Sequence, residues 1–231
     1  MQRIKINELV EFRRKQSEKY KKNFAYKLKN RIPKEKTIEE QEAEEPRDYW
    51  VFSTSCIYNV FKNGNEGFYD PKIDELYLKM SNPNLKNSTY SMYKRNRDIL
   101  MSFKEFEVNS HRPNKFTRQG VQKEHKTLTL EGFPLYVKPN LVFIFEHDGK
   151  NKVGALWLVP QVDGFKKSEL GIFCEVLHRF LLKNYSDNYQ ISEDYCIAID
   201  TFNAQSVTYS ELKNQSVPFL LDSTLQEMKI L

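Results

Sequence analysis

The side chains of this 231-residue chain that are best suited to binding a ligand are basic residues interleaved with aromatic ones. Near the N-terminus, Tyr20, Phe24 and Tyr26 lie among lysines and arginines. Lysine and arginine bind phosphate oxygens, so a basic stretch with interleaved aromatic residues is consistent with nucleic-acid binding. The residues of this stretch that we expect to contact phosphates are Arg13, Arg14, Lys15, Lys21 and Lys22.

The same stretch is also consistent with a solvated helix whose charges only keep the protein soluble. Residues 1–36 contain thirteen Lys and Arg against four Glu, a net charge of +9, which leaves −4 for the rest because the whole chain carries +5. From Ile4 to Arg31 there is no Gly or Pro, and apolar residues recur mostly at multiples of four. This spacing predicts a helix with a thin apolar stripe. We therefore expect a basic helical arm, residues 1–36, that projects from the protein or docks on only part of its length.

Two further polar stretches flank the predicted folded part. Five glutamates between Glu39 and Glu45 predict an acidic linker over residues 37–48. Residues 111–126 have few apolar side chains and predict a basic loop, which is either a second binding element or a mobile connection. The candidate phosphate contacts of this loop are Arg112, Lys115 and Arg118.

Cysteine and histidine give no indication of a nucleophile or a metal site. Cys56, Cys174 and Cys196 are far apart and each lies in an apolar run, which predicts buried, reduced thiols. The four histidines are scattered, and we interpret His178 as a satisfied residue on a helix surface. The sequence lacks a paired Cys/His pattern, a glycine-rich phosphate loop and a GxSxG elbow, which argues against structural zinc, nucleotide hydrolysis and ester hydrolysis.

The rest of the chain is predicted to form a helical part followed by a sheet part. Residues 49–107 show helical spacing, with stops after Asn63 and after Met80. Beyond Lys126 the apolar period changes to two, which predicts strands. The predicted strands are residues 126–132, 135–140, 141–146, 153–161 and 195–200, with a helix over 168–183 and an edge strand before a final amphipathic segment.

Composition limits the class of protein. The chain is 39% hydrophobic and 29% charged with only eight glycines, which excludes collagen and long disordered tails. No apolar run approaches the roughly 18 residues that a membrane helix needs, and the start does not resemble a secretory signal. We therefore expect a cytoplasmic protein without a membrane partner.

The order helix, three strands, helix, strand is the core order of the PD-(D/E)XK nuclease superfamily. Residues 126–210 resemble its RecB-like exonuclease branch, and the segment KPNLVF stands where that family has a P-D-L element. The resemblance implies an α/β (α+β) fold with a restriction-endonuclease-like core, a small mixed sheet flanked by helices. It makes residues 49–231 a single nuclease-like domain with a helical part, 49–107, and a sheet part, 126–231.

In that family an aspartate at the start of the second strand and an acidic-x-Lys at the end of the third hold one or two magnesium ions for phosphodiester hydrolysis. Here Asn140 stands in place of the aspartate, and Val159-Pro160-Gln161 replaces the acidic-x-Lys. An amide is a much poorer magnesium ligand than a carboxylate. We therefore expect no catalytic residues, no metal and no cofactor, with Asn140 and Gln161 as degenerate positions of a former site.

Three functional hypotheses follow. The first is a noncatalytic, nuclease-like module that binds nucleic acid or a nucleoprotein complex through the arm and the loop. The second is an adaptor whose basic arm engages an acidic protein partner, in a mobile-element or defence complex. The third is a Mg²⁺-dependent nuclease whose acids have moved, for which the candidate residues are Glu146, Asp163, Lys166 and Glu169.

Overall fold

The structure is a computed structural model that describes residues 2–32, 48–122 and 124–231. Its α-helices are α1 (Ile6–Arg14), α2 (Glu18–Lys29), α3 (Val51–Asn63), α4 (Tyr69–Met80), α5 (Asn87–Phe103), α6 (Lys167–Tyr185), α7 (Tyr209–Lys213) and α8 (Leu221–Ile230). Its strands are β1 (Ile4–Lys5), β2 (Thr117–Gln119), β3 (Thr127–Leu130), β4 (Phe133–Tyr136), β5 (Leu141–His147), β6 (Lys150–Val159), β7 (Gln190–Asp200) and β8 (Gln205–Thr208). The predicted acidic linker, apart from Asp48, lies outside the described residues.

A five-stranded mixed sheet has the strand order β2-β5-β6-β7-β8. β5 is antiparallel to β2 and β6, whereas β7 is parallel to β6 because the chain returns through α6. The β5–β6 hairpin closes at Asp148-Gly149, whose φ angles of 54° and 69° are those of the tight turn expected from an Asp-Gly pair. A second sheet has the order β1-β4-β3, with β1 parallel to β4.

Side chains on the two faces of the large sheet enter two different cores. On one face, Phe143 of β5 and Leu156 of β6 pack with α3, α4 and α5. On the other face, Val142 and Ala155 pack with α6, and with α1 and α8. The alternation along each strand produces this division, since successive side chains point to opposite faces. The prediction of an α/β fold with a mixed sheet flanked by helices on both sides is confirmed.

The N-terminal residues are not a projecting arm, so that expectation is wrong. β1 pairs with β4, and α1 buries Leu9 and Phe12 completely in the core that also contains α6. α2 adds Ala25 and Leu28 to the same core and lies against α8. The helix breaks before Ser17, whose hydroxyl accepts the Tyr20 backbone N–H at 3.3 Å. The apolar stripe looked thin because two short helices share it.

The predicted loop over residues 111–126 contains β2 and a 3-10 turn at Glu124–Lys126, and it begins at the last residue of another 3-10 turn, Val108–His111, which is a second correction. β2 takes the edge position beside β5. The strand predicted over 126–132 exists as β3, but it pairs with β4 in the small sheet and not with the large one. Three residues are too few to show an alternating pattern, so β2 left no local signal in the sequence.

The structure also tests the predictions for the cysteines and for membrane-spanning helices. All three cysteines are free thiols with buried side chains, as the apolar runs around them predicted. No α-helix among the described residues is both long and apolar enough to cross a bilayer.

Candidate functional site

A cleft of about 810 Å³ opens at the end of the large sheet where β5 begins and β6 ends. Its walls come from β1 and the start of α1, from β2, from the segment between β4 and β5, and from the start of α3. β2 covers only residues 142–144 of β5, which leaves this edge of the sheet partly open. Its lining residues come both from α1, which packs in one core, and from α3, which packs in the other.

The cleft is basic. Of the described residues that line it, four are cationic and Asp48 alone is acidic. The Asp48 carboxylate accepts the Trp50 backbone N–H at 3.0 Å. Within the described ranges, none of the four cations forms an ion pair. These cations, which we call the cleft cations, are Lys5, Arg118, Lys126 and Lys138.

Aromatic side chains share the cleft with these cations. The chain has two tryptophans, Trp50 and Trp157, and both line the cleft together with Tyr136. Trp157 makes a perpendicular contact with Phe173 of α6, with ring centroids 5.4 Å apart. The Arg3 guanidinium lies 4.7 Å from the centroid of the Tyr136 ring. Rings fixed in this way offer stacking surfaces at low entropic cost.

Asn140, the predicted degenerate position, lies in the cleft, but its side chain is hydrogen-bonded to the backbone of β6. Its side-chain oxygen accepts the Leu158 N–H at 2.8 Å, and its own N–H donates to the Leu156 carbonyl at 2.9 Å. These two bonds extend the β5–β6 ladder by one residue. Gln161 lies beside the cleft, in a smaller pocket of about 260 Å³ that Glu8, Glu11 and Arg14 also line.

Glu169 is held by Arg14 in a two-pronged ion pair. The Arg14 Nε and Nη2 atoms donate to its two carboxylate oxygens at 2.8 and 2.6 Å, and the Lys166 backbone N–H donates at 2.8 Å. Arg14 also donates to the Gly164 carbonyl at 3.0 Å. Burial by itself raises the pKa of Glu169, but these hydrogen bonds outweigh burial and lower the pKa from its ordinary value of 4.5. Both carboxylate oxygens of Glu169 thus already accept hydrogen bonds from other groups of the protein.

The residues proposed for a relocated metal site do not converge. Glu146 lies near the far end of β5, about 20 Å of strand away from Asn140, and it lines a different cavity of about 480 Å³. Asp163 is exposed in the turn after β6, and Lys166 precedes α6. Among the described residues, no three His, Cys, Asp or Glu side chains lie close enough to hold a metal ion.

Asp200 is a buried acid that sequence reasoning missed. It ends β7 with no exposure, and its carboxylate accepts hydrogen bonds from the Phe165 and Phe202 backbone N–H groups at 2.8 and 2.9 Å and from the Asn203 side chain at 2.9 Å. It thereby ties the loop after β6 to the turn after β7. The sequence shows an acidic residue at the end of an apolar strand, but this pattern does not indicate which groups donate hydrogen bonds to it.

Most of the N-terminal residues predicted to contact phosphates bind within the protein instead. Arg13 donates to the Thr224 hydroxyl at 2.9 Å, Lys15 pairs with Glu11 at 2.9 Å, and Lys21 pairs with Glu227 at 2.6 Å. Arg13, Arg14 and Lys21 thus connect α1 and α2 to α6 and α8, whereas the Lys15–Glu11 pair lies at the end of α1 itself. Of the five, Lys22 alone has an exposed side chain without an ion pair or a hydrogen bond among the described residues.

The three loop residues predicted as phosphate contacts separate in the structure. Arg118 lies on β2 and lines the cleft. Lys115 lines the 480 Å³ cavity at the other end of the sheet. Arg112 is half-buried, with its guanidinium 5.2 Å from the centroid of the Phe116 ring. The structure therefore places one of the three in the cleft.

His178 is not on the surface, so that interpretation is wrong. Its ring is 9% exposed and stacks on Tyr209 with centroids 3.5 Å apart, and its Nδ1 atom is buried without a hydrogen-bond partner. Burial lowers the pKa of His178 to about 4, so the ring is neutral at pH 7. The helix pattern did not show that α7 covers this side of α6.

Comparisons with known proteins come out empty. No family model, no curated protein and no solved structure matches this chain. The function therefore has to be inferred from the cleft itself.

The Arg14–Glu169 pair makes a prediction for stability. We expect Arg14→Ala to lower the free energy of unfolding by about 1–3 kcal/mol at pH 7, because it leaves the Glu169 carboxylate buried without its cation. The lower end of this range applies if solvent screens the ion pair, because the Arg14 side chain is 39% exposed. Because the pKa of Glu169 is lowered in the folded protein, this contribution is present above pH 4.5 and is lost as the pH falls through the folded value. Urea unfolding at several pH values measures it.

Arg13→Ala is the matched control for that measurement. Arg13 lies on the same helix, but its hydrogen bond goes to a neutral hydroxyl. We expect a smaller loss of stability with little dependence on pH. A loss in Arg14→Ala that stays constant down to the lowest pH would show that the ion pair is not its source.

Proposed function

We propose that this protein binds the phosphates of nucleic acid in the basic cleft and does not cleave them. The observation that supports the proposal is the excess of four cations over one acid among the described lining residues of a cleft that also contains two tryptophans. Nucleic-acid sites combine these features, since cations neutralise phosphates and aromatic rings contact bases. The cleft thus replaces the N-terminal arm as the proposed binding surface.

The position of the cleft also favours a nuclease-like origin. In the large sheet, the neighbouring antiparallel strands β2, β5 and β6 are followed by a helix and a parallel strand, and β3 and β4 of the small sheet are inserted between β2 and β5. Apart from this insertion, the order resembles the core of the PD-(D/E)XK superfamily with β2 as the first strand. The cleft lies at Asn140 and Pro160, beside the positions at which that family gathers magnesium. We propose a restriction-endonuclease-like core that retains a phosphate-binding cleft.

The test is a titration of a labelled oligonucleotide followed by fluorescence anisotropy at two salt concentrations. If all four cleft cations contact phosphates of a single strand, log K falls with log[salt] with a slope of about −2.8, so a fourfold rise in salt weakens binding about 50-fold. Absence of binding at about 50 mM salt would overturn the proposal.

A magnesium-dependent nuclease remains the alternative for which an assay is simple. We expect incubation with supercoiled plasmid and Mg²⁺ or Mn²⁺ to leave the plasmid intact, because Arg14 occupies the carboxylate of Glu169. Nicking that disappears in Glu169→Ala, with the variant shown to be folded, would favour catalysis instead.

An acidic protein partner is the remaining alternative. Deletion of residues 1–36 cannot test it, because the deletion removes Leu9 and Phe12 from the core. Competition is a better measurement: an acidic peptide that displaces the oligonucleotide at equal charge concentration would favour a protein partner.

A further inference from the structure

The two tryptophans of the cleft lie on different elements. Trp50 immediately precedes α3 and packs beside the core formed with α3, α4 and α5. Trp157 lies on β6 and packs on the opposite core, beside Phe173 of α6. The cleft therefore has one tryptophan beside each of the two cores, with the cleft cations on the strands and segments around them.

We infer that the cleft takes single-stranded nucleic acid, with unpaired bases stacked on Trp50 and Trp157 and phosphates on the cleft cations. The inference rests on the proposed function and specifies its substrate class. In a duplex, neighbouring bases cover both faces of each base, so a half-buried aromatic ring can stack only on a base that lies outside the duplex stack. A site that binds only the phosphates of a duplex needs cations but does not need aromatic rings for stacking.

The backbone holds Trp50 in place before any ligand binds. Its N–H donates to the Asp48 carboxylate at 3.0 Å, and its carbonyl accepts the hydroxyls of Ser53 and Thr54 at 3.2 and 2.8 Å. Trp157 is fixed by its position in the ladder between β6 and β7, opposite Ala198. The rings themselves are held by perpendicular aromatic contacts, Trp50 with Tyr49 at 4.8 Å between centroids and Trp157 with Phe173. Because the backbone and the ring contacts restrict both side chains, stacking costs little conformational entropy.

The size of the cleft agrees with a short stretch of single strand. A volume of about 810 Å³ lies within the range of sites that enclose a compact organic ligand. It accommodates on the order of one or two nucleotides, with the rest of the strand outside. The exposed Lys138 and Arg118 side chains are available to the phosphates at the rim.

The test compares three ligands of equal length, about 12 nucleotides: a single strand, the same sequence as a duplex, and a strand of abasic sites. We expect the single strand to bind at least 10-fold more tightly than the other two and to quench tryptophan fluorescence, because both tryptophans of the chain are in the cleft. Equal affinity for duplex and single strand would overturn this inference and leave the proposed function standing. Failure of all three ligands to bind at low salt would overturn the proposed function itself.

Variants separate stacking from charge. We expect Trp50→Leu to weaken single-strand binding about 5- to 100-fold, the cost of losing one stacked base, and to leave binding of the abasic strand unchanged. Trp50→Phe should restore most of the affinity, since a phenyl ring still stacks. Tyr26→Leu removes an exposed ring of α2, 68% accessible and outside the cleft, and should have no effect.

Circular dichroism and thermal unfolding establish that each variant is folded before its affinity is interpreted. If Trp50→Leu does not fold, quenching of wild-type fluorescence by the single strand, and its absence with the abasic strand, decides the same question. Loss of affinity for the abasic strand in a folded Trp50→Leu would contradict stacking as the role of Trp50.

Discussion

Reversing two cleft charges, in the variant Arg118→Glu/Lys138→Glu, is expected to weaken oligonucleotide binding on the order of 100-fold or more at low salt. Each reversal replaces an attraction of about 1 kcal/mol to a nearby phosphate with a repulsion of similar size. Both side chains are exposed at the cleft, so the variant should fold as the wild type does. Fluorescence anisotropy measures the affinity, and the salt dependence of the affinity measures how many contacts are lost.

The salt dependence makes this prediction more specific. Loss of two of four phosphate contacts should reduce the slope of log K against log[salt] from about −2.8 to about −1.4. The control is Lys22→Glu/Lys150→Glu, which changes the net charge equally on exposed side chains of α2 and β6 that lie outside the cleft. If the control weakens binding as much as the cleft variant does, affinity follows total charge and the cleft is not the site.

The cleft also shows which part of the site the sequence could predict. Arg118 was predicted because it lies in a run of basic residues. Lys5 in β1 is one of many basic residues of the N-terminal stretch, and Lys138 after β4 is an isolated lysine; nothing in the sequence marks either of them as a site residue. Pairing of β1 with β4, across about 130 residues of chain, brings them to the same cleft. Such long-range pairing has no local signal.

The elements with strong local patterns were predicted correctly. The β5–β6 hairpin combines two apolar runs with an Asp-Gly turn, and α6 carries apolar residues at spacings of three and four. The prediction for the N-terminal helices was wrong because their positive charges suggested a solvated arm. Their charges are instead neutralised by distant acids, such as Glu169 for Arg14 and Glu227 for Lys21. Net charge along the sequence says little when the neutralising partners lie some 150 to 200 residues away.

The second large effect is expected from Gly164→Ala, which should lower the free energy of unfolding by about 3–5 kcal/mol. Gly164 has a φ of +62°, where a side chain costs about 1–2 kcal/mol. An added Cβ would also lie 2.4 Å from the Asp200 carboxylate and 2.0 Å from the Asn203 side-chain nitrogen. Because Asp200 is buried and bonded to both adjoining loops, it cannot move aside without breaking those bonds. Urea unfolding measures the loss.

Two other glycines separate the backbone effect from the steric one. Gly132 has a φ of +84° but no atom near its added Cβ, so Gly132→Ala should cost only about 1–2 kcal/mol. Gly120 has neither a positive φ nor a neighbour within 4 Å, and Gly120→Ala should change stability by less than about 0.5 kcal/mol. If Gly164→Ala costs no more than Gly132→Ala, the Asp200 carboxylate is free to shift. In that case the loop after β6, which also provides the carbonyl that binds Arg14, is not held as rigidly as its hydrogen bonds indicate.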